Sequence, residues 1–439
     1  MTIQQNYPTT RPSLSLNFAR SRRLDPHITF TRTTSGTRVN EEGYIETVAA
    51  DRPRFDHDPV TLEPRGLLVE EGRTNYYAGT SSAYTDSGGF SVNTTLATSR
   101  TADANLYAPN GQPAFLYRAL DGSNFHGFGG GQVTGIGATT TISYSCWVRD
   151  YNNSDYRLYF VLDAFNPTTS NSNYFLRVAR PLTGAFAGGG DGTRWTNTST
   201  RVENWGNGWY RFSMTGTYNF EAGRTVIGYG FQLLDNTSAQ FYTPSPSNTF
   251  GLYAYGPQLE FGPFVTSYIP VPSGSTTATR TADNASITGD KFSSFYNPSE
   301  GTIYADMGPY QSSFTGNFGI SVGSATNNYL AFPYITAGGS SIRTTYWRDP
   351  TFTATSQPLT TGNTAGKYAI AYKNSQRLDQ AFNGTLGTFG GSIPNPTGFD
   401  SLYIGRSHFG ITRYQNFYLK QLTYYPTALT NAQLQELTK

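Results

Sequence analysis

Few residues in this chain are placed to do chemistry. The histidines are His27, His57, His126 and His408, and the one cysteine is Cys146. No histidine pair has H-x-x-x-H spacing and no Cys-x-x-Cys occurs, so no His/Cys metal centre is marked. Cys146 sits in the apolar run Tyr144-Ser145-Cys146-Trp147-Val148, where a thiol reads as a small core residue, not a nucleophile. No G-x-S-x-G elbow is present. The glycine run from Gly127 to Gly137 has no lysine partner and no following helix, so it reads as a flexible loop and not as a phosphate cradle.

The carboxylates that come in pairs are Glu70/Glu71 and Asp56/Asp58. On a strand, Glu70 and Glu71 point to opposite faces, which argues against both flanking one glycosidic bond. Asp56 and Asp58 share a face on either side of His57 and read as salt-bridge partners of Arg52 or Arg54. Asp349, Asp379 and Asp400 offer oxygens for Ca²⁺, but no ligand motif joins them. The reading is therefore no catalytic residue, no cofactor and no metal.

Recognition chemistry has more to work with. Trp347-Arg348-Asp349 and the stretch Tyr151-Asn152 to Tyr156 combine aromatic faces with amide, guanidinium and carboxylate groups in expected loops. Such groups stack on and hydrogen-bond to sugars. The same types seal subunit interfaces, where Tyr, Trp and Arg are enriched. Both readings stand for Trp347, Arg348, Tyr151, Asn152 and Tyr156.

The elements that must carry these residues are strands. The 439 residues include 32 Tyr, 29 Phe and 47 Gly, and only 14% are charged, below the ~25% of ordinary soluble domains. Aromatic and β-branched residues favour strands, and Gly, Asn and Ser favour turns. The fold class is all-β. The length exceeds one ordinary core, so two or three domains are expected. Net charge is +2, and four arginines in a short segment do not make a nucleic-acid face. No window is apolar enough to span a membrane. The first residues lack the apolar core of a signal peptide, so synthesis and folding in a cytoplasm are expected.

Along the chain, residues 1–28, carrying Arg11, Arg20, Arg22 and Arg23, read either as an extended basic arm that docks on a partner or as a solvated, locally ordered segment. Residues 29–75 read as a β-rich connector, with a hairpin over 28–48 and turn signals at Ser35-Gly36-Thr37 and Glu41-Glu42-Gly43-Tyr44. Residues 76–270 read as a jelly-roll sandwich and 271–279 as a linker. Residues 280–439 read as a second sandwich, with an Asn383-Gly384 hairpin turn. Its C-terminal helix, Asn431–Leu437, is capped by Thr430 with Gln433 three residues on. Arg280-Thr281-Ala282-Asp283 echoes Arg100-Thr101-Ala102-Asp103 and suggests two similar domain entries.

Five pieces of the leader occur in order: Thr29–Arg32, Ser35-Gly36-Thr37, Gly43–Ile45, Pro53–Pro59 and Gly66–Asn75. Together they resemble a leader found in tailed-bacteriophage virion proteins. Gly256-Pro257-Gln258-Leu259-Glu260, with Ser267-Tyr268-Ile269-Pro270, resembles the phrase that closes the family's first sandwich. Glu300-Gly301-Thr302-Ile303, Leu402–Gly405 and Tyr425 to Leu434 resemble a concanavalin A-like, laminin-G-type domain. The resemblance implies a carbohydrate-binding-module-like jelly roll followed by such a domain. It also implies a virion structural protein: a tail fibre, spike or head decoration made in the host cytoplasm. Implied partners are other virion proteins, copies of itself with a trimer favoured, and host surface polysaccharide. Nucleic acid and membrane insertion are not expected. The alternatives are a carbohydrate-active enzyme of concanavalin-like fold, for which no E-x-D-x-x-E phrase occurs, or a bacterial lectin or adhesin.

Overall fold

The computed structural model of the chain describes residues 7–77, 98–119, 124–125, 127–169, 172–235, 241–242, 251–272, 274–309, 318–325, 328–335, 341–348, 351–358, 365–387, 398–408 and 414–439. The fold is all-β, with antiparallel pairing throughout and three short helices among the described residues. Two sandwiches are present, but they are not laid end to end.

The body is built from both ends of the chain. One of its sheets runs in the order Thr385–Leu386, Arg377–Phe382, Gly366–Lys373, Glu300–Met307, Phe417–Tyr425, Pro64–Val69, Arg54–His57. Leu14–Asn17 also pairs with Phe417–Tyr425, with Leu16 opposite Leu422. The facing sheet runs Thr29–Thr31, Asn284–Thr288, Ser401–Ile404, Phe318–Ala325, Asn328–Ile335, Ser341–Arg348, Thr351–Pro358. A single core joins Leu14, Leu16, Phe18 and Leu67 to Ile303, Ile320 and Leu422.

Residues 14–18 are therefore not an extended arm. Leu14 and Leu16 alternate into the core and Phe18 is 1% exposed, so this segment gains more from burial than from solvation. The expected 28–48 hairpin is also corrected. Thr29–Thr31 pairs with Asn284–Thr288, and the hairpin is formed by Gly36–Val39 with Ile45–Val48. Ser35-Gly36-Thr37 accordingly leads into a strand, while the turn expected at Glu41-Glu42-Gly43-Tyr44 is present, with Gly43 at φ +85°.

The second sandwich is inserted into the body. Its six-stranded sheet runs Trp195–Asn204, Trp209–Tyr218, Thr140–Asp150, Leu252–Phe261, Pro113–Ala119, Thr98–Tyr107. Its five-stranded sheet runs Gly127–Thr134, Val226–Leu234, Arg157–Phe165, Ser172–Arg180, Ala185–Asp191. Tyr144, Cys146 and Phe212 from one sheet meet Leu158, Phe160 and Leu233 from the other. Burial pushes the Cys146 thiol far up, as an inert core residue requires. Gly127–Thr134 is a strand, not a loop, because Val226–Leu234 supplies its backbone partners; a bulge between Phe128 and Gly131 takes up the glycines.

The chain leaves the body at Arg73–Asn75 and returns at Ala278–Arg280, and these two segments pair with each other. The end of the expected 271–279 linker, residues 278 and 279, is therefore part of a paired strand in this two-stranded stem. The C-terminal helix, Asn431–Thr438, carries the expected capping box between Thr430 and Gln433. Asn383 and Gly384 form the expected hairpin turn, both at positive φ.

Candidate functional site

The stem ends in a buried ionic cluster. Arg32, Arg54 and Arg280 have no solvent-exposed side-chain surface. Asp283, also fully buried, receives Arg32 Nη1 at 2.9 Å, Arg54 Nη2 and the backbone N–H of Glu70 at 2.9 Å. Glu70 receives Arg54 Nη1 at 2.7 Å, Ser267 Oγ at 2.6 Å and the Ser267 N–H at 2.8 Å. Arg280 Nη2 stands 3.4 Å from Glu70. Glu260, buried nearby, accepts from Thr266 Oγ1 at 2.6 Å and from its N–H at 2.9 Å. Three guanidinium groups thus face three carboxylates, which is the condition for burying charge at all. Burial alone would raise the Glu70 pKa, but Arg280, Arg54 and the Ser267 bonds outweigh it and bring it down to about 2.

Asn75 ties the inserted sandwich to this cluster. Its amide donates to Pro257 O at 3.1 Å and Ile269 O at 2.9 Å, while Leu259 N–H donates to its Oδ1 at 3.0 Å. Gln258 Oε1 accepts from the Ile269 N–H at 2.7 Å. Glu71 pairs with Arg73 through a 2.7 Å bond from Nε. The polar residues of the leader phrases, of the Q-L-E and T-S-Y phrases and of Arg280–Asp283 therefore meet in one place.

Beside the cluster, between the leader, the inserted sandwich and the body, lies a cleft of about 780 Å³. On the insert side, Trp147 and Arg211 stand opposite each other in adjacent strands. The Arg211 guanidinium lies 4.5 Å over the Trp147 ring, and Trp205 meets that ring edge-on at 5.0 Å. Arg211 Nη2 donates to Thr266 O at 2.9 Å. Arg211 Nε and Trp147 Nε1 are buried and have no hydrogen-bond partner among the described residues. On the body side, Arg65 lies 5.3 Å over the Tyr418 ring and its Nη2 donates to Asp58 at 2.7 Å. Asp56 accepts from the Val39 N–H and bonds Tyr418. Burial raises the Asp56 pKa to about 6. Burial also acts to raise Asp58, but the Thr61 and Val60 N–H bonds and Arg65 bring it down to about 2.

The expected partners of these acids change accordingly. Asp58 pairs with Arg65, and Asp56 pairs with neither Arg52 nor Arg54, because Arg54 turns inward to Glu70 and Asp283. The two R-T-A-D copies also differ in role: Arg280 and Asp283 join the cluster, while Asp103 accepts from Tyr253 Oη at 2.6 Å within the insert.

The recognition residues read from sequence are not brought together. Trp347 and Arg348 lie on a body strand, not in a loop, and Trp347 packs half-buried against Tyr329 and Ala331. Tyr151 and Asn152 lie in a turn of the insert, where Arg118 Nη2 donates to Tyr151 Oη at 2.8 Å. Tyr156 is 5% exposed in the insert core, which removes it as a contact residue. Asp349 lies outside the described residues. Arg11, Arg20, Arg22 and Arg23 are exposed, and Arg22 pairs with Glu41. Among the described residues, no three His, Cys, Asp or Glu side chains gather to hold a metal ion.

Sequence reading missed Trp147, Trp205 and Arg211 as a group. The signal for one part was present: in Trp209-Tyr210-Arg211, strand alternation puts Arg211 on the face away from the Phe212 core. No family model and no curated protein matches this chain.

Proposed function

We propose that the protein is a structural component of a tailed-bacteriophage particle, exposed as a tail fibre, spike or head decoration and assembled as a homo-oligomer. The observation that supports this reading is the convergence of the resembling phrases. Residues from the TFTR, PRFDHDP, GLLVEEGRTN and QLE…TSY phrases close one buried junction that fixes an inserted sandwich on a body. A projecting module held by paired strands and buried ion pairs suits a static scaffold, since moving it would strand buried charge. The exposed arginines 11, 20, 22 and 23 on the body are the docking surface to other virion proteins, and the insert presents itself to the host.

The test is immunogold labelling of particles purified from cells that encode the chain, together with light scattering on the isolated protein. Label on one particle feature and a stable multimer are expected. Unlabelled particles would overturn the virion role, and a clean 48.1 kDa monomer would overturn the oligomer. Replacing the four arginines by Gln should abolish incorporation with an unchanged melting temperature.

A further inference from the structure

The cleft holds a buried cation that has no ion-pair partner among the described residues. Arg211 is 6% exposed, and among the described residues no carboxylate comes within ion-pair distance of it. The acids that act on it from farther off are Glu203, Glu260 and Glu70, and all three are engaged, Glu70 by Arg54 and Ser267. Glu203 pairs with Arg201 at 2.9 Å, and Glu260 is held by Thr266 and Gln258. Burial therefore lowers the Arg211 pKa, with Glu203, Glu260 and Glu70 only partly opposing it. A buried guanidinium without a carboxylate is costly, and so is each buried N–H without an acceptor. Here two such donors, Arg211 Nε and Trp147 Nε1, belong to side chains stacked on one another at the cleft wall.

These features define a ligand. It brings a negative charge, oxygen acceptors for an N–H pair, and a flat apolar face for half-buried Trp205. The opposite wall carries the Asp58–Arg65 pair and Tyr418, a mix of donors and acceptors that suits hydroxyl groups, which are both. The volume lies within the ~300–1,000 Å³ of small-ligand sites and leaves room for a short oligosaccharide.

We propose that this cleft binds an acidic saccharide, whose carboxylate accepts hydrogen bonds from Arg211 Nε and Trp147 Nε1 while a sugar ring lies against Trp205. The site is separate from Trp347, Arg348 and Tyr151. Its biological meaning, though not its chemistry, rests on the reading of the protein as a host-contacting particle component.

The experiment is calorimetric titration of the full chain with trigalacturonate, with its methyl ester, which keeps the shape and loses the charge, and with acetate, which keeps only the charge. Trigalacturonate should bind. The ester should bind roughly tenfold to hundredfold more weakly, as expected for losing hydrogen bonds to a charged group, and acetate should give no signal at the same concentration. Trp205→Ala should weaken trigalacturonate about tenfold with an unchanged melting temperature, and Arg211→Gln should abolish binding. Because Arg211→Gln alters a buried side chain, the ester comparison and Trp205→Ala decide the question alone. The proposal is overturned by no binding to the wild type, by equal affinity for the ester, by acetate binding as tightly as the trisaccharide, or by no effect of Trp205→Ala. A silent titration beside labelled particles would remove this inference and leave the virion role standing; binding beside unlabelled particles would do the reverse.

Discussion

Replacing Asp283 by Asn tests whether the buried cluster holds the two sandwiches together. The change conserves shape and removes one charge. In the native cluster this carboxylate receives Arg32, Arg54 and the Glu70 N–H. After the change, Arg32, Arg54 and Arg280 face only Glu70 and Glu260, so one uncompensated positive charge stays buried. Breaking a buried ion pair in this way costs about 3–5 kcal/mol. The two lost pairs share one carboxylate and do not add, so the same range applies. For a body of roughly 240 residues, each kcal/mol moves the midpoint by about 2–4 °C, giving a fall of about 6–20 °C. The assay is a thermal melt by circular dichroism with calorimetry at pH 7. Asp58→Asn is the control: its pair with Arg65 is about one-third exposed on each side, and the Asn keeps an acceptor for the loop N–H groups. That control should cost under about 1 kcal/mol. If Asp283→Asn lowers the midpoint no more than Asp58→Asn, the cluster does not hold the junction and the reasoning fails.

Three further outcomes are expected. Phe18→Ala should destabilise the body by about 3–5 kcal/mol, because Phe18 is 1% exposed in its core; a denaturant midpoint unchanged from wild type would restore the free-arm reading. Gly66→Ala should cost about 2 kcal/mol or more, since φ is +94° and a Cβ would run into the Leu419 carbonyl of the neighbouring strand; soluble, equally stable protein would count against the pairing of those strands. Asp56→Asn should stabilise the protein at pH 7.5 by about 2–3 kcal/mol and leave it unchanged at pH 3. The sign follows from the raised pKa: the protonated form is favoured when folded, so this contribution is complete below 3.8 and is lost as pH rises to about 6. A melting difference independent of pH would show that burial does not raise Asp56.

The strands were legible because their patterns are local. Tyr144–Val148 and Gly366–Tyr372 alternate or run apolar between turn residues, and both appear where expected. The helix was legible because Thr430 and Gln433 cap each other over three residues. The leader was misread where its strands pair at long range: Thr29–Thr31 pairs with residues more than 250 positions away. The glycine run was misread for the same reason, since its partner strand, and not its own composition, decides that it is extended. The cleft could not be read at all. Trp147, Arg211, Tyr268 and Tyr418 lie on segments that only the insertion topology places side by side.

The all-β class, most of the turns, the capped helix and the charge-dense leader follow from local sequence, because each depends on residues within a few positions of one another. The insertion of one sandwich in the other, the meeting of Arg32 with Asp283 across 251 residues, and a buried Arg211 guanidinium with no ion-pair partner among the described residues arise only in the folded chain. Backbone ladders carry no sequence label, so alternation says that a strand exists and which face is apolar but not which strand it pairs with. Partner choice is settled by the fit of complete faces and by the neutralisation of buried charge, and both exist only once the chain has closed on itself.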